Sequence, residues 1–328
     1  MSNTATMMGL GSGAGGVKIA DAFSTTLYTG TGAEQTISNG LDINSEGGLV
    51  WIKSRAYAAN VATDTERGAG KVMYFNDNTS QLTNTNGVKA FTSTGFTVEG
   101  NSSFNNQSSV NYASWNFRKS PKFFDVVSWI GDSTSDRKIP HSLDSEVGTI
   151  FVKSTTENYQ WVVYSKNYGG GYYSWFPTAH KFYTSASNWN NTDATSTEFT
   201  IGSNGNVNLN TAGYVAYVFA ESDLMKTGLI VGDGTSDREI SLGFKPQWLM
   251  LVRVDVESST WTIFDSKRGI NSGAADPYLF MTSADAEGTD QQYVETTADG
   301  FKVGLVSSGN YYNKSGQTNM YIAIKAED

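Results

Sequence analysis

The sequence predicts an all-β protein built from three tandem antiparallel β-sandwich repeats behind a glycine-rich N-terminal arm. Three observations predict it: a motif that recurs about every hundred residues, short β-branched and aromatic runs, and clusters of Gly, Asn, Asp, Ser and Thr between those runs.

The recurring motif is Gly131-Asp132-Ser133-Thr134-Ser135-Asp136-Arg137-Lys138-Ile139, which returns as Gly232-Asp233-Gly234-Thr235-Ser236-Asp237-Arg238-Glu239-Ile240. Seven of nine positions agree at an offset of 101. A weaker first copy runs from Tyr28-Thr29-Gly30-Thr31-Gly32 to Gln35-Thr36-Ile37 and is one residue shorter. Apolar runs closed by a basic residue follow at offsets of 100: Leu49-Val50-Trp51-Ile52-Lys53, Thr149-Ile150-Phe151-Val152-Lys153 and Leu249-Met250-Leu251-Val252-Arg253. Uninterrupted apolar runs of this length predict strands covered on both faces. Phe96-Thr97-Val98, Phe199-Thr200-Ile201 and Phe301-Lys302-Val303 keep the register at spacings of 103 and 102. The aromatic segments 112–117 and 214–219 close the first two copies, and 320–324 aligns with them loosely.

These markers divide the chain into an arm, 1–21, and repeats at 22–120, 121–223 and 224–328. The joints, 118–122 and 221–226, are too short to be flexible tethers, so fixed angles between repeats are expected. The glycines of segment 7–16 lose much entropy on ordering, and the arm is expected to lie against a neighbouring subunit rather than form a core.

The chain carries 23 Lys and Arg against 32 Asp and Glu, a formal charge of −9, which repels phosphate backbones and anionic lipid surfaces. Neither nucleic acid nor membrane is an expected partner. The absence of cysteine removes disulfides and thiolate metal sites. No basic segment followed by an apolar stretch opens the chain, and no run of about 18 apolar residues occurs, so no secretion signal or membrane span is predicted.

Chemistry-bearing residues are few. The two histidines, His141 and His180, are read as structural or solvent-exposed, not as bases or ligands. Asp64, Arg67 and Gly68 return as Asp265, Arg268 and Gly269, while the second copy has Ser165, Tyr168 and Gly169; the charged pair is read as fixing a turn. Asp132 with Asp136, and Asp233 with Asp237, are carboxylate pairs of the kind that cleaves glycosides or holds a cation. Their place in Gly/Ser/Thr turns favours turn hydrogen bonds instead. Gly11, Gly13 and Gly16 have dinucleotide-binding spacing, but no strand precedes them. Tyr168, Tyr172, Tyr173 and Trp175, with Trp189 further on, form an aromatic cluster on glycine-rich loops. Such rings cap a sandwich, or offer a partner or glycan contact, with a subunit contact preferred over a glycan. No catalytic residue, metal ligand or cofactor is assigned.

The stretch Trp115-Asn116-Phe117-Arg118-Lys119-Ser120-Pro121-Lys122-Phe123-Phe124-Asp125-Val126-Val127 resembles the junction in a phage-encoded domain family of unknown function that recurs in tail-fibre and other virion proteins, many from marine phages. The resemblance extends to Gly47-Gly48-Leu49-Val50-Trp51-Ile52-Lys53, to Asp64 with Arg67-Gly68 and to Trp189-Asn190-Asn191-Thr192, and covers roughly residues 25–221. It implies a non-enzymatic structural protein of the virion, assembled in the host cytoplasm, first as a tail-associated fibre or adhesion component. A capsid decoration (cement) protein is the alternative, and a glycan-binding or glycan-degrading tail protein a more distant one. The partners implied are other virion proteins through the arm and the sandwich faces, further copies of the chain in a homo-oligomer, and a host surface receptor.

Overall fold

The computed structural model describes residues 17–84, 87–177, 181–257, 259–270, 275–305 and 312–327. The glycine-rich segment 7–16 and His180 lie outside the described residues.

The first repeat consists of β1 (Phe23–Thr29), β2 (Gln35–Ser38), β3 (Gly48–Ser54), β4 (Asn60–Asp64), β5 (Lys71–Tyr74), β6 (Leu82–Thr83), β7 (Val88–Thr92), β8 (Gly95–Val98) and β9 (Asn111–Arg118). They form a large antiparallel sheet ordered β1-β9-β3-β4-β5-β6 and a small one ordered β2-β8-β7. The second repeat has β10 (Phe124–Ile130), β11 (Arg137–Pro140), β12 (Val147–Ser154), β13 (Trp161–Ser165), β14 (Tyr172–Phe176), β15 (Tyr183–Thr184), β16 (Glu198–Ile201) and β17 (Gly213–Ala220). Its large sheet is β10-β17-β12-β13-β14-β15, and its small sheet has the two strands β11-β16. The third repeat has β18 (Met225–Val231), β19 (Arg238–Ser241), β20 (Pro246–Arg253), β21 (Thr262–Asp265), β22 (Leu279–Phe280), β23 (Glu295–Thr296), β24 (Gly300–Val303) and β25 (Thr318–Lys325), in sheets β18-β25-β20-β21-β22 and β19-β24-β23. The fold is all-β. Single-turn helices α1 (Ile43–Glu46), α2 (Ala186–Trp189) and α3 (Gly205–Asn208) are capped by the side chains of Asp42, Ser185 and Asn204.

Strand register makes the repeats superimposable position by position. Trp115 pairs Trp51, Tyr217 pairs Phe151 and Ile322 pairs Met250, so Trp115, Tyr217 and Ile322 are equivalent. Segment 320–324, aligned only loosely by sequence, therefore lies in full register within β25. Gly30, Gly131 and Gly232 recur because the chain crosses at close range there. A Cβ would sit 2.2, 2.0 and 2.1 Å from the carbonyl oxygens of Gln107, Leu209 and Lys314.

Each large sheet is buried on both faces. In β3, Val50 and Ile52 point into the repeat's own core with Phe96 and Val98, whereas Leu49 and Trp51 point the other way. Those second faces meet in one shared core, where Trp51, Trp115 and Phe75 of the first repeat pack with Phe151, Trp161 and Tyr217 of the second and Trp248, Met250 and Trp261 of the third. Among the described residues four apolar interiors result, one per sandwich and one common to all three. The continuous apolar runs read in the sequence are the strands sandwiched between two of these interiors.

The repeats form a closed ring. β10 packs on β3 and β9, and β18 packs on β12 and β17. The third seam brings Phe23 of β1 against Trp248 of β20, with ring centroids 6.2 Å apart. Residues 17–21, assigned to the arm by sequence, belong to the fold: Ile19–Asp21 form a 3-10 turn, and Ile19 and Val17 pack on the shared core.

Candidate functional site

The repeated turns are organised around a buried asparagine. In the second repeat Asn208 donates to Asp132 Oδ1 at 3.0 Å and to the Thr134 carbonyl at 2.8 Å, and its own Oδ1 accepts from the Asp132 backbone N–H. Asp132 Oδ1 also accepts from the Thr134 backbone and hydroxyl at 2.9 and 2.7 Å. Asn313 and Asp233 repeat the arrangement, with Thr235 in place of Thr134. In the first repeat Asn106 binds the Ala33 carbonyl and the Thr31 backbone N–H, and Gln35 stands where Arg137 and Arg238 stand.

Bonds from Thr134 hold the Asp132 carboxyl down to about 2, and bonds from Thr235 do the same for Asp233. A carboxyl held that low is a poor general acid. Asp136 turns elsewhere, to Lys138 at 3.2 Å and Asn190 at 3.3 Å. Asp136 and Asp237 adopt φ of +64° and +56°, a turn conformation that Asp tolerates. Each carboxylate of the Asp132 and Asp136 pair thus has its own partners, Thr134 and Asn208 for the one and Lys138 and Asn190 for the other. Among the described residues, no group of three or more His, Asp and Glu is placed to hold a metal ion.

The Asp64 and Asp265 pairs do more than fix their own turns. Asp64 takes the Arg67 Nε at 2.6 Å and the Arg67 backbone N–H at 3.0 Å, and it also accepts the Tyr217 hydroxyl of the second repeat at 2.8 Å. Asp265 binds Arg268 in the same way, at 2.6 and 2.9 Å, and accepts the Trp115 indole N–H of the first repeat at 3.0 Å. Both carboxylates are fully buried. Burial, together with the Asp64 charge, pushes the Tyr217 hydroxyl well above its usual range. In the second repeat the corresponding residue is Ser165, and Ile322, equivalent to Trp115 and Tyr217, offers no donor.

Lys53 and Lys153 are buried at the same seams. Lys53 donates to the carbonyls of Ala58 and, from the third repeat, Ser283, at 2.7 and 2.9 Å. Lys153 donates to Glu157 and Ser154 and, from the first repeat, Asn78. Burial pushes both down to about 8. At the third position the register places Val252, not the Arg253 that the sequence spacing of 100 suggests, because β20 is shifted by one residue against β25; Arg253 itself pairs with Asp255.

The aromatic cluster divides over the structure. Trp189 is 1% exposed in the core of the second repeat, so it offers no surface for a partner or glycan, a correction to the sequence reading. It caps the sandwich from α2, because helix rather than loop follows β15. Tyr168 stacks on Phe182 with centroids 4.0 Å apart and packs on the shared core, filling the place that Arg67 and Arg268 occupy elsewhere. Tyr172 is 39% exposed. Tyr173, Trp175 and Tyr183 form a half-buried row, with Trp175 and Tyr183 stacked at 5.3 Å. His141 is buried beside Phe199; its Nδ1 accepts the Leu143 N–H at 3.3 Å, and burial lowers its pKa.

Asn106, Asn208 and Asn313 were not singled out in the sequence because their spacings, 102 and 105, drift from the repeat and asparagine is common here. No curated protein matches the chain. The matching family model spans residues 18–328 and so takes in all three repeats, and the chain belongs to the family described as a domain of unknown function (DUF7483).

Proposed function

We propose that the chain is a non-enzymatic structural protein of a phage particle, acting first as a tail-associated fibre or adhesion component. One observation carries the reading. The segment that resembles the virion-protein junction, 115–127, is the joint of the closed ring: in the shared core Phe117 stacks on Phe123 and lies tilted against Phe124, with centroids 6.2 and 5.2 Å away. Trp115 bonds the third repeat from the same segment. The residues that carry the resemblance therefore lock three sandwiches into one rigid body, a property suited to an assembly part whose outer loops vary. The half-buried pair Trp175 and Tyr183, and the exposed Ile130 and Val231 at equivalent positions of the second and third repeats, supply apolar contacts for other virion proteins or further copies of the chain. Imaging particles with this chain labelled tests the proposal. A label on the tail is the expected result, a label on the capsid shell favours the decoration role, and particles without label overturn the reading.

A further inference from the structure

The three seams of the ring are built from equivalent positions, and their charges differ. At the first seam Lys119 lies between Asp125 and Glu66, at 3.1 and 3.2 Å. At the second, Lys166 and Lys226 meet Glu146 and Glu221, at 2.9 to 3.9 Å. At the third seam, register puts Ser24 where Asp125 and Lys226 stand, Ala326 where Lys119 and Glu221 stand, Lys245 where Glu146 stands and Lys267 where Glu66 stands. Compared with either other seam, one acid gives way to a lysine and one neutral residue, Gly47 or Asn167, gives way to the other. Among the described residues neither Lys245 nor Lys267 has an ion-pair partner.

A cleft of about 510 Å³ lies at this seam, between the first and third repeats. Among the described residues that line it, Glu327 is the one acid, against Lys245 and Lys267. Two of the residues that line it carry a buried polar atom with no hydrogen-bond partner among the described residues: the Thr25 hydroxyl, on a residue 5% exposed, and the Asn39 amide nitrogen. At the second seam the equivalent Thr227 hydroxyl meets Thr149 at 3.5 Å, but β20 has Trp248 in place of Thr149, and the Trp248 indole N–H is also unpartnered. Buried donors and acceptors that go unmet are costly, and a bound group that meets them recovers that cost.

We propose that this cleft is a binding site for an acidic sugar residue, its carboxylate held between Lys245 and Lys267 and its hydroxyls by Ser24, Thr25, Asn39 and Ser266. The ammonium pair selects an anion. The hydroxyl and amide wall, roomier than a single oxyanion needs, selects a polyol carrying that anion. The inference stands apart from the virion reading, because binding is measured on the chain in solution without a particle.

The test is titration of the full chain with glucuronate, glucose and sulfate, followed by calorimetry or NMR. Saturable glucuronate binding that weakens with salt, with glucose and sulfate each about tenfold weaker or absent, is the expected result. The Lys245→Gln, Lys267→Gln double variant, checked for an unchanged fold by circular dichroism, loses it. Ser24→Asp restores to the seam the carboxylate that Asp125 supplies elsewhere, and it is expected to raise the melting temperature while abolishing glucuronate binding. Sulfate binding as tightly as glucuronate overturns the sugar assignment. Absence of saturable glucuronate binding, or binding unchanged in the double variant, overturns the site.

Discussion

Trp115 donates its indole N–H to Asp265 at 3.0 Å across 150 residues of chain, joining the first repeat to the third inside a core that excludes water. The Arg268 guanidinium also lies over the Trp115 ring, 5.5 Å from its centroid, so the indole is held at its edge and on its face. Removing the donor alone, in Trp115→Phe, is expected to cost about 1–3 kcal/mol. Asp265→Ala, which strands the buried guanidinium, is expected to cost about 3–5 kcal/mol. Urea unfolding of both variants checks the order; equal and negligible losses would refute the seam bond.

At the second seam the donor is gone and so is the carboxylate. Ser165 is fully buried, and Ser165→Asp is expected to destabilise by more than about 2 kcal/mol, because Ile322 has no proton to offer. Adding Tyr168→Arg and Ile322→Tyr rebuilds the constellation of the first seam and is expected to recover part of that loss. Melting temperatures of the single and triple variants measure it.

Lys53 and Lys153 titrate near 8 in the folded chain against an ordinary value of 10.5. Between those values the unfolded chain holds protons that the native chain has released, so these two groups make stability rise with pH across that window. Below it both states are protonated and the cost of burying the charges is complete. A Lys53→Met, Lys153→Met variant is expected to lose this upward slope, read from denaturant midpoints between pH 7 and 10.5.

Asp276 behaves in the opposite sense. Burial lifts its carboxyl to about 7 although the backbone N–H groups of Val294 and Tyr293 lower it, and its Oδ1 has no hydrogen-bond partner among the described residues. From its ordinary 3.8 up to about 7 the native chain keeps a proton that the unfolded chain has lost, so stability falls as pH rises through that range. Asp276→Asn is expected to flatten the slope and to raise the melting temperature above pH 7, where thermal unfolding is compared with the parent chain.

Much of this architecture was legible because a repeat announces itself. The run Leu49-Val50-Trp51-Ile52 marks a strand buried on both faces, and its copies mark the same strand twice more. What covers the second face was not legible: Trp51 and Trp161 look like residues of a private core, and only the folded ring shows that they share one. Asp64 and Asp265 were read as local pairs, since Arg67 and Arg268 lie three residues away, while Tyr217 and Trp115 lie about 150 residues away with nothing to connect them in sequence. Of the two readings of Trp189, a cap on the sandwich and a surface contact, the structure shows the cap, since Ser185 caps a helical turn that drives the ring inward. The unneutralised third seam was invisible for the same reason as the shared core. Lys245 and Lys267 stand out only against the residues that occupy their places in the other repeats, Gly47 and Glu146 for the one and Glu66 and Asn167 for the other.

Closure of the ring also brings the first and last described residues together: 17–20 and 325–327 line one cavity of about 450 Å³, and the Arg118 guanidinium and backbone amide grip Asp21 and Ala22 from the adjoining strand. Where a linear array would leave its outer units tethered by one neighbour, each unit here has two. The order of the units along the polypeptide is then a matter of bookkeeping rather than of mechanics. A permuted chain, opened between the second and third repeats and bridged across residues 327 and 18, would encounter the same three seams and reach the same shape.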